Sequence, residues 1–228
     1  MSARVWIWAT LACGLATMAL FAAFALLPEM RAAAQCLPPG SVVQFELARN
    51  AADLAAIFGS PDSDCRQLAV AAMDALNRLD TAAFIPVYTA FCIAGALFLS
   101  GGAVRLLTVA AVAAAMGAAA ADYVETTTLL AITQSLDAPE ALLPRSQAGA
   151  WAKFALLAAH AFFCAGLSFF AAPRRVVLGV LMVLPALGVA VAAFDHARFA
   201  NIMNGAFALA WIGLLVAAAN AAVVWKRA

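Results

Sequence analysis

The sequence predicts an all-α fold, a polytopic membrane helix bundle of about six transmembrane helices with a small external cap after the first. Three observations carry that reading. Of the 228 residues, 67% are hydrophobic and only 11% charged, whereas soluble domains run at about 45–50% and about 25%. Six segments reach the roughly 20 mostly apolar residues that a spanning helix needs. None of them alternates polar and apolar positions over about ten residues, as a membrane strand would. The formal charge of +1 gives no field to recruit nucleic acid, so no nucleic-acid partner is expected.

The first span is Val5 to Leu27, uncharged throughout. The second runs from about Ala82 to Ser100, and the third from about Ala103 to Asp122. The fourth, Trp151 to Ala172, contains Lys153 and His160. The fifth is Val176 to Phe194, and the sixth about Ile202 to Trp225. The chain therefore divides into the first helix (1–27), a cap segment (28–81) and a five-helix remainder (82–228). Arg4 and the alanines at 32–34 resemble parts of a signal peptide. The apolar run, however, is 23 residues, longer than the 7–15 of a signal h-region, so a retained anchor is expected. Cys36 is a poor lipoprotein site because Gln35 stands where a small residue belongs.

Orientation follows from the short loops. With the N-terminus inside, Arg4, Arg105, Arg174, Arg175, Lys226 and Arg227 are cytoplasmic, and all twelve acidic residues fall outside or in the outer part of the spans. The expected location is a bacterial inner membrane, multi-pass, with both termini cytoplasmic and the cap periplasmic or extracellular.

Within the cap, Ser41 to Leu47 alternates weakly and predicts a short extended piece. Ala51 to Phe58 predicts a helix with Asn50 as N-cap, broken by Gly59 and Pro61. Cys65 to Leu79 predicts a second helix, with Leu68, Ala72, Leu76 and Leu79 at helical spacing. Cys36 and Cys65 are the only cysteines in the cap. An oxidising compartment favours a disulfide between them; the alternative is two buried free thiols. Cys13, Cys92 and Cys164 lie in spans and read as small packing residues.

Ionisable groups in or at the ends of spans mark candidate sites. Asp122 and Glu125 are three apart, so a helix puts both on one face. Seventeen residues beyond Arg105, Asp122 lies about 25 Å deeper, near the outer edge of the hydrocarbon core. Asp80 opens the second span, with Tyr88 eight residues on. Lys153 opens the fourth, with His160 seven residues further in. Asp195 and His196 follow the fifth. These eight residues form the expected polar or ligand-binding cluster, with Lys153 beside the carboxylates and His160 beneath. The rival reading is structural: headgroup contacts, a snorkelling lysine, a salt bridge from Asp122 or Glu125 to Lys153 or Arg78, and a hydrogen-bonded core histidine. Asp122, Glu125, His160 and His196 are metal-capable residue types, but no metal-binding spacing joins them. No metal or cofactor is expected, and no phosphate loop, dinucleotide fingerprint or nucleophile elbow occurs.

Three short segments, Phe45-Glu46-Leu47-Ala48-Arg49, Leu79-Asp80-x3-Phe84-x3-Tyr88 and Asp122-Tyr123-Val124-Glu125, resemble a loose group of uncharacterised bacterial inner-membrane proteins. In that group the third segment usually reads Asp-x-x-Glu-Asn; here Thr126 replaces the asparagine. The resemblance spans about residues 40–155. It implies a multi-span protein with a small external cap and brings no activity with it.

The functional expectation is a protein whose acidic pocket on the outer side binds a lipid-like or amphiphilic ligand or a membrane partner. Membrane lipids and a membrane-protein partner or second copy are the expected associates. The rivals are an enzyme using Asp122 or Glu125 as general acid or base, and a proton-coupled transporter using the same carboxylates with His160. The absence of an internal repeat weakens the transporter reading.

The topology generates the first test. A tag after Lys226 should be reached by a membrane-impermeant probe only in permeabilised cells, whereas one inserted between Gly59 and Asp64 should be reached in intact cells. The opposite labelling would reverse the assigned orientation.

Overall fold

The computed structural model describes residues 3–101 and 105–227. Ala103, where the third span was expected to begin, lies outside the described residues. The fold is an all-α bundle in which six helices are long and apolar enough to cross a membrane; no strand occurs among the described residues. The helices are α1 (Ala3–Phe24), α2 (Pro28–Ala32), α3 (Ser41–Glu46), α4 (Ala51–Phe58), α5 (Asp64–Leu79), α6 (Ile85–Ser100), α7 (Arg105–Thr133), α8 (Leu143–Phe170), α9 (Val176–Phe194) and α10 (His196–Arg227).

The chain packs as two compact units. One takes in residues 1–18, 87–119 and 154–228, and the other residues 19–86 and 120–153. In the first, Phe91, Leu99, Leu167, Met182 and Leu214 are core residues from four helices. Alanine and glycine let these helices approach closely: a Cβ on Gly188 of α9 would stand 3.0 Å from Met203 Cα of α10. Small residues serve this purpose in membrane bundles, where packing rather than hydrophobic exclusion holds helices together.

The second unit contains the cap segment and the adjoining parts of α7 and α8. Its core is Phe45, Leu54, Phe58, Met73, Leu129, Ile132 and Leu143. Thus α7 continues past its apolar stretch to support the cap. Asn50 caps α4 as expected, its Oδ1 accepting from Asp53 N at 3.0 Å while Asp53 Oδ2 accepts from Arg49 N at 2.7 Å. Gly59, at φ +72°, ends that helix.

One expectation is corrected here. Ser41–Glu46 is helical, not extended. Ser41, Val43 and Phe45 are all buried, and a helix this short, covered on two sides, buries every second residue just as a strand does. Alternation therefore cannot separate the two conformations over so few residues. Gly40, with φ +78°, starts the helix abruptly after Pro38 and Pro39.

A second feature was not foreseen. α5 runs into α6 without a break, through a π-helical turn over Asp80–Phe84 in which Ile85 N–H donates to Asp80 O. Pro86 has no N–H to give, and the wider turn directly before it absorbs one extra residue. Such an insertion offsets the side-chain register by about 100°.

Three polar contacts set α5 antiparallel to the end of α7. Arg66 Nη2 donates to Asp137 Oδ1 at 2.6 Å. Thr133 Oγ1 donates to Asp74 Oδ1 at 2.6 Å, and Thr126 Oγ1 to Asp80 Oδ2 at 3.0 Å. Arg78, a candidate partner for the carboxylates at 122 and 125, instead reaches Asp74 at 3.5 Å.

Cys36 and Cys65 form a disulfide across 29 residues of chain, with Cα atoms 5.2 Å apart. It ties the segment after α2 to the first turn of α5. Closing a loop of this size stabilises the folded state by about 3–4 kcal/mol in the chain-entropy view. Cys36→Ser/Cys65→Ser should accordingly lower the unfolding midpoint in detergent, and reduction of the wild type should reproduce the loss. Equal midpoints with and without reductant would show that the bond does not form.

Candidate functional site

Lys153 is the centre of a buried cluster. α8 delivers it, with its side chain 8% exposed, into contact with three carboxylates from two other helices. Its Nζ lies 2.7 Å from Glu125 Oε2, 3.3 Å from Asp122 Oδ1 and 3.3 Å from Glu46 Oε1. The Glu125 side chain is 0% exposed, Asp122 5% and Glu46 19%. A lysine withdrawn from water this far must be paired, and here it is paired three times.

Each acid arrives by a local rule. Asp122, Glu125 and Thr126 of α7 are buried while Tyr123 and Val124 are exposed, as positions i, i+3 and i+4 of one face require. Glu46 is the last residue of α3, next to the core residue Phe45. Gln147 Nε2 donates to Ala48 O at 2.9 Å and so fastens the end of α3 to α8. Gly149, four residues before Lys153, makes the approach of α7 possible. A Cβ there would stand 2.9 Å from Glu125 Cβ and 3.0 Å from both its Cα and its N.

A fourth acid, Asp80, joins through Thr126. The threonine hydroxyl donates to Asp80 Oδ2 at 3.0 Å and lies 3.5 Å from Asp122 Oδ1. One hydroxyl proton cannot serve both acids at once; the hydroxyl is fully used when one of the two carboxyls carries a proton and donates to it. The neighbouring threonines take no part: Thr127 and Thr128 turn their hydroxyls back to carbonyls of their own helix at 2.7 and 2.6 Å.

The charge is unbalanced. Four carboxyls stand against one ammonium, and buried like charges oppose one another. Glu46, outside the membrane-spanning segments, shows the consequence. Burial raises its pKa above the ordinary 4.5 and Asp122 adds to the rise, against the lowering influence of Lys153. Glu125 Oε1 is buried with no hydrogen-bond donor among the described residues.

Of the eight residues expected in the cluster, Asp80, Asp122, Glu125 and Lys153 are brought together. The other four belong to the other unit, each with surroundings of its own. The Tyr88 ring stacks on Trp211 with centroids 5.7 Å apart. His160 Nδ1 is 3.0 Å from Ala111 O, and its Nε2 is 3.6 Å from Cys164 Sγ. A carbonyl only accepts, so Nδ1 carries the proton and Nε2 is left to accept from the thiol. That is the hydrogen-bonded core histidine of the structural reading. Asp195 Oδ1 accepts from Arg198 N at 3.1 Å at the start of α10, the helix that His196 opens.

Glu46 is the member that spacing arguments missed. It sits in a segment read as extended, and no helical face linked it to the spans. The available signal was its place in the first of the three short segments, each of which supplies one or more of these carboxylates. No set of three or more His, Cys, Asp or Glu residues suited to a metal ion occurs among the described residues.

Removing the ammonium should leave buried acids uncompensated. Lys153→Met is expected to cost about 3–5 kcal/mol, the range for breaking a buried pair from one side. Adding Glu125→Gln should recover part of that loss. Denaturant unfolding in detergent of the two single variants and the double variant checks this; strict additivity would show that the two residues do not interact. No family model, curated protein or solved structure matches this chain, so the reading of the site rests on its own geometry.

Proposed function

We propose that this chain is a bacterial inner-membrane binding protein whose acidic cluster takes the cationic head of a lipid-like or amphiphilic ligand at the outer side of the membrane. The observation that carries the reading is the surplus of carboxylate around Lys153, together with the unused acceptor at Glu125 Oε1. An ammonium-bearing head would bring both the missing positive charge and the missing N–H donors. The surrounding apolar helices suit a hydrocarbon tail.

The outer placement draws support from two independent features. The Cys36–Cys65 disulfide lies in the same unit as the cluster and suits an oxidising compartment. The cation distribution among the loops points the same way.

A second reading has one specific observation in its favour. The Thr126 hydroxyl shared between Asp80 and Asp122 suits a group that stores and passes a proton, as an enzyme's acid–base pair or a proton-coupled transporter requires.

The test uses the full chain in neutral detergent with two single-chain amphiphiles of equal length, one ending in a primary ammonium and one in an alcohol. The ammonium form should raise the thermal midpoint and be retained in native mass spectrometry. Glu125→Gln and Asp122→Asn should lose that response while remaining folded. An equal response to the alcohol would overturn cationic-head binding. Proton uptake by proteoliposomes that Glu125→Gln abolishes, with no amphiphile response, would establish the relay instead.

A further inference from the structure

A second feature lies wholly within the other unit and shares no residue with the acidic cluster. A cleft of about 890 Å³ is bounded by the loop from Ala172 to Arg175, the first turns of α9 and the second half of α10, with Phe98 and Ile7 behind. Its size is that of a small-molecule site. The composition of its wall is one-sided. Among the described residues, Arg174, Arg175 and Asn220 are its only polar side chains, and every other lining residue is apolar, glycine or proline.

The two arginines are placed differently. Arg174 is exposed, whereas Arg175 is half-buried with its guanidinium 4.6 Å above the centre of the Phe98 ring. Neither forms an ion pair with a carboxylate of the described residues, and no acid lines the cleft. Burial lowers the pKa of Arg175, and although the Phe98 ring covers one face of the guanidinium, no carboxylate of the described residues compensates the lost water. α9 begins directly after it without a side-chain cap, so the positive end of that helix opens on the same loop.

The loop lies at the membrane boundary, between the end of α8 at Phe170 and the start of α9 at Val176. From there the apolar wall runs inward along α10 from Val224 to Gly213, eleven residues or about 16 Å of helix. Val177, Val216 and Val224 on this wall are exposed by 77%, 52% and 67%, so the cleft opens sideways toward the lipid. Paired guanidinium groups match the two free oxygens of a phosphodiester, and basic pockets at the ends of spans bind anionic headgroups.

We propose that this cleft is a binding site for one anionic diacyl phospholipid, its phosphodiester held by Arg174 and Arg175 and an acyl chain laid along the α9–α10 wall. Arginines that merely snorkel would attract many headgroups loosely. A cleft with a cationic mouth predicts a single retained molecule, and retention that depends on the wall as well as on the charge.

The test is native mass spectrometry of the delipidated full chain in neutral detergent, titrated with phosphatidylglycerol or phosphatidylcholine of the same chains. One phosphatidylglycerol should bind, and phosphatidylcholine should bind about tenfold or more weakly. Arg174→Gln/Arg175→Gln should lose at least that factor, the effect expected for a lost charge-assisted hydrogen bond. Ala221→Phe, which fills the wall and leaves both arginines in place, should also lose the lipid. Thermal midpoints close to wild type in lipid-free detergent qualify a variant for the comparison; Ala217→Phe replaces Ala221→Phe if that one misfolds. Equal retention of the two lipids, displacement by millimolar inorganic phosphate, or retention unchanged in either class of variant would overturn the proposal.

Discussion

The buried ammonium of Lys153 is the constraint on which the second unit depends. An amine taken out of water is expensive unless acceptors surround it, and no single helix can provide them. The requirement draws α3, α7 and α8 to one point, because Glu46, Asp122 and Glu125 must all reach Nζ. It also explains Gly149. Two helices whose side chains share one ammonium must come close, and at that position any side chain would press on the backbone of α7.

The cap segment is held in register with the same point. The contacts Arg66–Asp137, Asp74–Thr133 and Asp80–Thr126 run antiparallel along α5 and α7, the last of them at the cluster. A slip of one residue between these helices would break all three and rotate Asp80 away from Thr126. The disulfide and the aromatic pair of Phe45 and Phe58, with ring centroids 5.0 Å apart, hold the remainder of a segment too short to build a large core of its own.

Much of this was legible in the sequence because apolar length is a strong signal. Six spans and the α4 cap at Asn50 follow from run length and local pattern. The pairing of Asp122 and Glu125 on one face follows from spacing alone, as does the placement of Lys153 near them once the helices alternate in direction. The failures lie where local pattern carries little information. Ser41–Glu46 is too short for period two and period 3.6 to be distinguished. The π-helical turn over Asp80–Phe84 has no motif apart from the proline that follows it. Three consecutive threonines give no indication of which one turns toward the acids. Glu46 reaches Lys153 through a tertiary arrangement that no spacing encodes.

The composition of the cluster bears on whether it is only structural. A buried ion pair is seldom the most stable solution; well-packed apolar residues of similar volume often do as well or better. A lysine needed for packing alone would be satisfied by one carboxylate and a carbonyl or two. Here three further acids and a bridging hydroxyl are added, which increases repulsion, and an oxygen of Glu125 stays buried without a donor among the described residues, a condition that native proteins mostly avoid. Each addition works against stability and in favour of a site able to accept positive charge, whether it comes as a proton or as the head of a ligand. An asparagine at position 126 would carry two N–H donors and could serve Asp80 and Asp122 together. With threonine there is one hydroxyl proton for two acids, so this version of the cluster has the greater need of a proton or cation from outside.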